Sequence, residues 1–219
     1  MPFDAPEGEG ALPREIGIFP LPGALLLPGG RLPLNVFEPR YLALVEDALA
    51  SGRRFGMIQP DAAAPATPTG PALYRVGCLG RLTSFAETDD GRFLVALTGV
   101  TRFTVAAELP MVRGYRRVRP DYAPHAADLS PDEPRADRAA LTAALRAYFR
   151  AKGIEANWDA VERADLPALV TNLCMVCPFD PREKQALLEA PDPTARAAML
   201  EALLRMDSLP TPGADMRPS

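Results

Sequence analysis

Residues 16–47 read IGIFPLPGALLLPGGRLPLNVFEPRYLALVED. Two apolar runs, at 16–21 and 24–27, are each followed by proline, and apolar residues then alternate with other residues over 32–36. This alternation puts three apolar side chains on one face of a strand. Beyond it, apolar residues recur every three or four positions, which predicts a helix over 40–50 with one apolar side. Strands bounded by proline and followed by a covering helix predict a small domain built on a sheet.

Five further segments have the composition and alternation of strands, and an Asp-Gly pair at 90–91 predicts a tight hairpin turn between two of them. Gly99 predicts a second turn, and the Pro- and Ala-rich loop at 61–71 is expected to be mobile. The predicted strands are 54–59, 73–87, 92–98, 100–109 and 112–118.

By composition and apolar periodicity, the rest of the chain divides into two tails, a linker and a helical part. The tails, 1–15 and 208–219, are predicted to be disordered, and 121–135 is predicted to be a linker. Residues 136–207 have helical periodicity and predict four or five short helices packed together. Asp-Pro pairs beginning at Asp180 and Asp192 have the capping residues of helix starts.

Composition narrows the classes of function. The 219 residues carry 24 Lys and Arg against 28 Asp and Glu, a net charge of −4. An acidic chain is a poor nucleic-acid binder, because phosphate contacts need cationic surface. No apolar run reaches the ~20 residues of a membrane helix, and the N-terminus lacks a signal-peptide pattern. Three cysteines fit a reducing compartment, so we expect a cytoplasmic protein without membrane contact; its oligomeric state stays open.

Several of these motifs together resemble the Lon protease N-terminal (substrate-binding) domain family. Its opening pattern matches Phe19-Pro20-Leu21, Pro28-Gly29 and the block PLNVFEPRY at 33–41, and its Gly-x-x-Arg-Phe segment matches 99–103. The helical half resembles the family through KQALLE at 184–189 and through Arg196. The resemblance implies an α+β fold: a PUA-like β-barrel with a covering helix over 16–120, followed by a small helical bundle.

The resemblance also implies a function, which is non-catalytic binding of unfolded or exposed protein segments, with a role as an adaptor in protein quality control as the expectation. A protease or a chaperone is a further candidate partner. An apolar groove or open strand edge would hold such a segment. We expect the barrel–helix junction to supply that surface, near the 61–71 loop. The predicted peptide-binding residues are Phe19, Leu21, Leu25, Leu26 and Leu27.

An alternative function is a reader of RNA or of a small ligand, since PUA-like barrels occur in RNA-binding modules. Its supporting feature is one basic segment, MVRGYRRVRP, which carries Arg113, Arg116, Arg117 and Arg119. A single basic strand in an acidic chain is a weak electrostatic footprint. A solvated strand face explains the cluster equally well, so nucleic acid is the less favoured partner.

The sequence offers little for catalysis. No Gly-rich loop ending in Gly-Lys-Ser/Thr is present to cradle nucleotide phosphates. Ser51 and Ser84 have no nearby lysine partner, and the single histidine, His125, lies in the predicted linker. A hydrolase of the Ser-His or Cys-His type would have to use that histidine. We therefore expect no enzyme, no cofactor and no metal.

Two smaller motifs each have a structural and a functional interpretation. Cys174 and Cys177 form a C-x-x-C, which suggests redox chemistry or metal binding, but they fall within an apolar helical pattern where cysteine packs as a small hydrophobe. Glu38 and Arg40 could form a binding pair, but they are favoured as a structural junction between strand and helix, with Tyr41 in the core.

Overall fold

The computed structural model of the chain describes residues 12–208. Six strands come first, with one helix between the second and third, and helices make up the remainder. In chain order the elements are β1 (Ile16–Pro20), β2 (Arg31–Val36), α1 (Pro39–Ala50), β3 (Arg54–Ile58), β4 (Val76–Glu87), β5 (Phe93–Val112), β6 (Tyr115–Asp121), a 3-10 helix (Ala123–Leu129), α2 (Arg138–Lys152), α3 (Trp158–Arg163), α4 (Leu166–Val176), α5 (Pro181–Glu189) and α6 (Pro193–Asp207).

Five of the strands close into a ring. β1 pairs with β3 in parallel and with β6 in antiparallel orientation, and the pairs β3–β4, β4–β5 and β5–β6 complete the circuit. The strand β2 pairs only with the first part of β5, so it lies outside the ring at the edge of the sheet. Helices follow this barrel in sequence and confirm the predicted α+β class.

The turn predicted at Gly99 is wrong, because β5 runs unbroken from Phe93 to Val112. The segment before β2 crosses β5 at this point. The Gly29 N–H donates to the Gly99 carbonyl oxygen at 2.9 Å, and the Gly99 N–H donates to the Gly30 carbonyl oxygen at 2.9 Å. A Cβ on Gly99 would overlap the Leu27 carbonyl oxygen, so glycine permits a close approach of two main chains here.

The core of the barrel continues without interruption into the helices. One cluster of buried apolar side chains joins residues of β1, α1, β3 and β5 to residues of α2, α4, α5 and α6. The predicted start of α5 is confirmed, since Asp180 and Glu183 form a capping box around Pro181. The start of α6 at Asp192 is confirmed in the same way, with the Asp192 side chain accepting from the Ala195 N–H.

A buried polar network also joins barrel and helices. The Gln59 amide at the end of β3 donates to the Pro181 carbonyl oxygen at 3.0 Å and to the Gln185 side chain at 3.2 Å. The Lys184 ammonium donates to the Gly23 carbonyl oxygen at 2.9 Å. These bonds pair polar groups that burial would otherwise leave unsatisfied, so the two halves are positioned relative to each other by directional contacts as well as by packing.

The segment predicted as a linker, 121–135, contains the end of β6 and the 3-10 helix. Its last residue is attached to α6, since the Arg135 N–H donates to Thr194 Oγ1 at 3.0 Å. In the 61–71 loop, the Pro71 carbonyl oxygen accepts a bond of 2.7 Å from Arg116. Of the predicted disordered tails, residues 1–11 and 209–219 lie outside the described residues.

Candidate functional site

The residues predicted to bind peptide lie mostly in the core. Phe19, Leu25, Leu26 and Leu27 are buried, with exposed fractions of 6%, 2%, 1% and 0%. They fill the space between the barrel and the helices, and Leu21 is the one member of the set that is partly exposed. In this conformation the four buried side chains cannot contact a partner.

At the junction between β2 and α1, a charged pair stands beside a buried ring. The Arg40 guanidinium lies 2.7 Å from the Glu38 carboxylate, and both side chains are about half exposed. Arg40 also covers the Tyr41 ring, which is stacked on Phe19 with the ring centroids 4.0 Å apart. Because the Tyr41 ring is inside the core, the charged pair is held over it and is directed along the surface rather than into a cavity.

An apolar cavity lies among α2, α3 and α4, and is called here the α2–α4 groove. Its volume is about 290 Å³. Val176, on its rim, has 72% of its surface exposed, an unusual position for a large aliphatic side chain on a helix. The lining residues are Phe149, Ile154, Ala160, Val161, Ala164, Leu169, Asn172, Leu173, Val176, Cys177 and Pro178.

The helix α3 on one side of the groove is short, packs through partly buried side chains such as Trp158 and Val161, and is bonded to α2 by arginines. None of the six residues of α3 is fully buried. Arg138 of α2 donates to the Val161 carbonyl oxygen at 2.8 Å, and the Arg146 guanidinium lies 4.1 Å from the centroid of the Trp158 ring. Within the described residues, Val176 is left uncovered on this side of α4, whereas Leu169 and Leu173 of the groove lining are buried.

A second exposed apolar surface lies on the outer face of the sheet. Leu94 of β5 is 45% exposed and is paired with Asn35 on one side and Ala86 on the other. Phe37, immediately after β2, is 62% exposed and has the Arg92 guanidinium 5.9 Å from its ring centroid. This surface is called here the outer-face patch.

A polar cavity of about 500 Å³ lies where the start of β4 meets the 3-10 helix and the end of α5. His125 is on its wall and is 3.1 Å from Thr104 Oγ1 through Nε2. Burial, followed by the charge of Arg102, lowers the pKa of His125, so the ring is neutral at pH 7. His125 is thus partly buried, although it lies in the segment predicted as a linker. The other lining residues are Asp61, Leu73, Tyr74, Arg75, Val76 and Glu189.

Next to this cavity lies a buried ion pair that the sequence did not indicate. The Arg102 side chain is 5% exposed and the Asp128 side chain 8% exposed, with 2.8 Å between them. Arg102 also donates to the carbonyl oxygens of Leu188 and Ala190, at 3.0 and 2.6 Å. Burial alone would raise the pKa of Asp128, but bonds from Arg102 outweigh it and lower that pKa. The pair connects β5, the 3-10 helix and the end of α5.

The basic segment near β6 is largely neutralised by neighbouring carboxylates. Arg113 pairs with Glu46 and Asp47, while the other partners come from β5 and the N-terminal segment. Such pairing reduces the positive potential that a phosphate backbone would meet. The remaining ion pairs of the predicted cluster are Arg116 with Glu108 and Arg117 with Glu15.

The C-x-x-C cysteines are buried at the end of α4. Cys174 is 0% and Cys177 2% exposed. Burial raises the pKa of the Cys174 thiol to about 12 and that of the Cys177 thiol to about 11. A thiol with a pKa this high is almost fully protonated at pH 7 and is a poor nucleophile and metal ligand. Within residues 12–208, no group of three or more His, Cys, Asp and Glu side chains is arranged to hold a metal ion.

The fold and the matched length define the class of protein. Residues 15–206 match the family model of the ATP-dependent protease La (LON) substrate-binding domain. The chain therefore belongs to the Lon substrate-binding domain family, as the motifs of its first strands and α1 predict. Over the described residues, no helix combines the length and apolar character needed to cross a membrane.

Two solved structures are similar over most of the chain. The Lon N-terminal domain protein from Xanthomonas campestris is 26% identical, with a TM-score of 0.59, and the match covers 86% of this chain and 97% of that one. The N-terminal domain of the Mycobacterium avium complex Lon protease is 16% identical with a TM-score of 0.58, and the match covers 89% of this chain and 100% of that one. At this low identity, the similarity supports the fold and nothing about function.

Curated relatives match over a shorter region. Lon protease 2 of Myxococcus xanthus is 28% identical over 110 residues, which are 50% of this chain and 13% of that protein. Lon protease 2 of Sorangium cellulosum is 32% identical over 105 residues, which are 48% and 13% of the two proteins. The chain thus spans about 13% of the length of these relatives.

Proposed function

We propose that this protein is a polypeptide-binding module that holds apolar side chains of unfolded or exposed protein segments in the α2–α4 groove. The observation that carries the proposal is an apolar cavity of about 290 Å³ with Val176 72% exposed on its rim. Ligand sites are typically concave and mostly apolar. Membership of a substrate-binding domain family supports a protein segment as the occupant.

The size of the groove suits side chains rather than a whole ligand. Pockets for small molecules span roughly 300–1,000 Å³, and the groove lies at the lower limit of that range. One or two leucine or phenylalanine side chains would fill it. Asn172 is the one lining residue with a hydrogen-bonding polar side chain, so the groove has few groups that could select a specific sequence in the bound segment. Both features favour a partner defined by exposed apolar residues.

The alternative function, a reader of RNA, has less support. Three of the four arginines of the basic segment are paired with carboxylates, and the chain has a net charge of −4. A small-ligand reader would use the polar cavity beside His125, whose lining carries charges of both signs. Binding of RNA that weakens steeply with salt would favour the first of these alternatives.

A non-catalytic role fits the state of the candidate nucleophiles. The thiols of Cys174 and Cys177 are buried, and burial raises the pKa of each. The neutral His125 ring has Thr104 as its near partner rather than a serine or cysteine. The module would then act as an adaptor in the cytoplasm, presenting captured segments to a protease or a chaperone.

The test compares Val176→Asp in the groove with Leu94→Asp on the outer-face patch, a matched change at a second exposed aliphatic residue. The probe is a fluorescein-labelled peptide in which leucine and phenylalanine alternate with serine, measured by anisotropy. We expect Val176→Asp to raise the Kd at least about tenfold, since binding would bury an unpaired carboxylate. Leu94→Asp should leave the Kd within about twofold.

Thermal denaturation of both variants checks that they are folded. Equal affinity of the wild type and Val176→Asp would reject the groove as the binding surface. Loss of binding in Leu94→Asp alone would transfer the site to the outer-face patch, and no binding by the wild type would reject the proposed function.

A further inference from the structure

Besides the second half of β5, which beyond Val105 pairs with β6 alone, the sheet has two open margins among the described residues. One is the whole outer side of β2, which pairs only with β5. The other is the end of β4 beyond Leu82, since β3 pairs with β4 only as far as Arg81. An open margin presents unpaired main-chain groups to which an extended segment of another protein can add as a strand.

The register shows which main-chain groups of β2 face outward. The Ala96 carbonyl oxygen of β5 accepts a bond of 3.2 Å from Thr83 Oγ1 of β4, so Ala96 directs its main-chain groups away from β2 and forms a non-hydrogen-bonded pair with Pro33. Such pairs alternate along an antiparallel ladder. Leu32, Leu34 and Val36 therefore direct their main-chain groups toward β5, and the residues between them direct theirs toward the open margin. Those outward residues are Arg31, Pro33 and Asn35.

Pro33 therefore stands at the centre of the margin. Proline has no N–H, and at this position it costs β2 no bond to β5. An added strand would find donors only at Arg31 and Asn35, four residues apart, with the proline ring between them. The margin at the end of β4 is limited to residues 83–87, and the register shift between Leu82 and Ser84 interrupts the strand where the margin begins.

We infer that Pro33 closes the β2 edge of the sheet to strand addition, and that polypeptide is held through its side chains without main-chain pairing. The second part of this inference rests on the proposed function, whereas the first part concerns the edge alone. A module of this kind accepts a segment without fixing its register or its direction. The substrate class then includes segments whose main chain cannot donate hydrogen bonds.

The first experiment tests the edge without any peptide. Pro33→Val restores the N–H, and Asn35→Val makes a similar gain in strand propensity at the next outward residue while leaving Pro33 in place. Sedimentation velocity over a wide concentration range measures self-association of the full chain. We expect Pro33→Val to associate more strongly than the wild type, by pairing β2 with a second copy, and Asn35→Val to match the wild type. Equal behaviour of the two variants overturns the role of Pro33.

The second experiment compares the labelled test peptide with a version N-methylated at alternate residues. For the wild type we expect the two Kd values to agree within about twofold, since no main-chain donor is used. A loss of about tenfold or more on N-methylation overturns side-chain capture. If neither peptide binds, the proposed function has failed and side-chain capture with it, while the edge is still decided by self-association.

Discussion

Replacing Asp128 by asparagine would remove the negative charge from the buried pair that joins the barrel to the helices. The Arg102 side chain, 5% exposed, would then carry a charge with no counter-ion while its bonds to the Leu188 and Ala190 carbonyl oxygens remain. Breaking a buried pair in this way costs about 3–5 kcal/mol. The amide is nearly isosteric and can still accept a bond, so we expect about 3 kcal/mol, the lower end of that range.

For a chain of this length, each kcal/mol changes the Tm by about 2–4 °C, so Asp128→Asn should melt about 6–12 °C below the wild type at pH 7. Calorimetry or circular dichroism measures this directly. The control is Glu162→Gln, which breaks the exposed pair between Arg146 and Glu162, 43% and 64% exposed, and should change the Tm by about 2 °C or less. A variant Asp128→Asn that melts within about 2 °C of the wild type would refute the reasoning.

The pH dependence gives an independent check. The folded protein lowers the pKa of Asp128 below its ordinary value, mainly through bonds from Arg102 that outweigh burial. The pair therefore contributes its full stability above the unfolded pKa of about 3.9 and loses it as the pH falls toward the folded pKa. The Tm difference between wild type and Asp128→Asn should be constant from about pH 5 to 8 and shrink below about pH 4. A difference that persists at pH 3 would mean that the charge is not the cause.

Three further predictions test the fold and the cysteines. Gly99→Ala should destabilise the protein by several kcal/mol, because its Cβ would overlap a main-chain oxygen. Gly52→Asn should be tolerated, because Gly52 has a positive φ and open space around it. Urea denaturation compares the two variants, and equal midpoints would contradict the close approach of the main chains at Gly99. Cys174 and Cys177 should resist a thiol reagent at pH 8 in the native state and react once urea unfolds the chain, since both are buried and burial raises the pKa of each; rapid native labelling would revive the redox interpretation. A fragment of residues 12–135 should fail to give a cooperative melt, because the shared core and the polar network both continue into the helices; a sharp transition would show that the barrel folds alone.

The local elements could be predicted from the sequence because their signals are local. The helix predicted over 40–50 is α1, Pro39–Ala50, and the strand predicted over 54–59 is β3, Arg54–Ile58. Each is specified by periodicity and by residues at its own ends. The prediction of a turn at Gly99 is wrong because the feature that requires glycine there is a contact with residues distant in the sequence. A glycine that turns the chain and one that admits another main chain look the same in a sequence, and only the crossing segment distinguishes them.

The sites were harder to predict, because exposure is decided by distant residues. An apolar run such as 24–27 is equally consistent with a binding surface and with a core segment, and packing of the helices buries it. Val176 belongs to the same helical pattern as its buried neighbours, and it is exposed because the short α3 leaves that side of α4 uncovered. Asp128 is an ordinary acidic residue of a Pro-rich segment until Arg102, 26 positions earlier, is placed beside it.

The strand ring makes the order of synthesis matter for this chain. β1 lies between β3 and β6, and Ile16 is paired with Val118. About a hundred residues must therefore be synthesised after β1 before its second neighbouring strand, β6, is present. The hydrogen-bond partner of the Gln59 side chain, Gln185, is synthesised later still. Pairings this distant in sequence are slow to form, because loop closure must precede the contacts that reward it. Until β6 has been synthesised, a nascent chain therefore carries an open sheet with unpaired strands, and we expect it to need a chaperone during that interval.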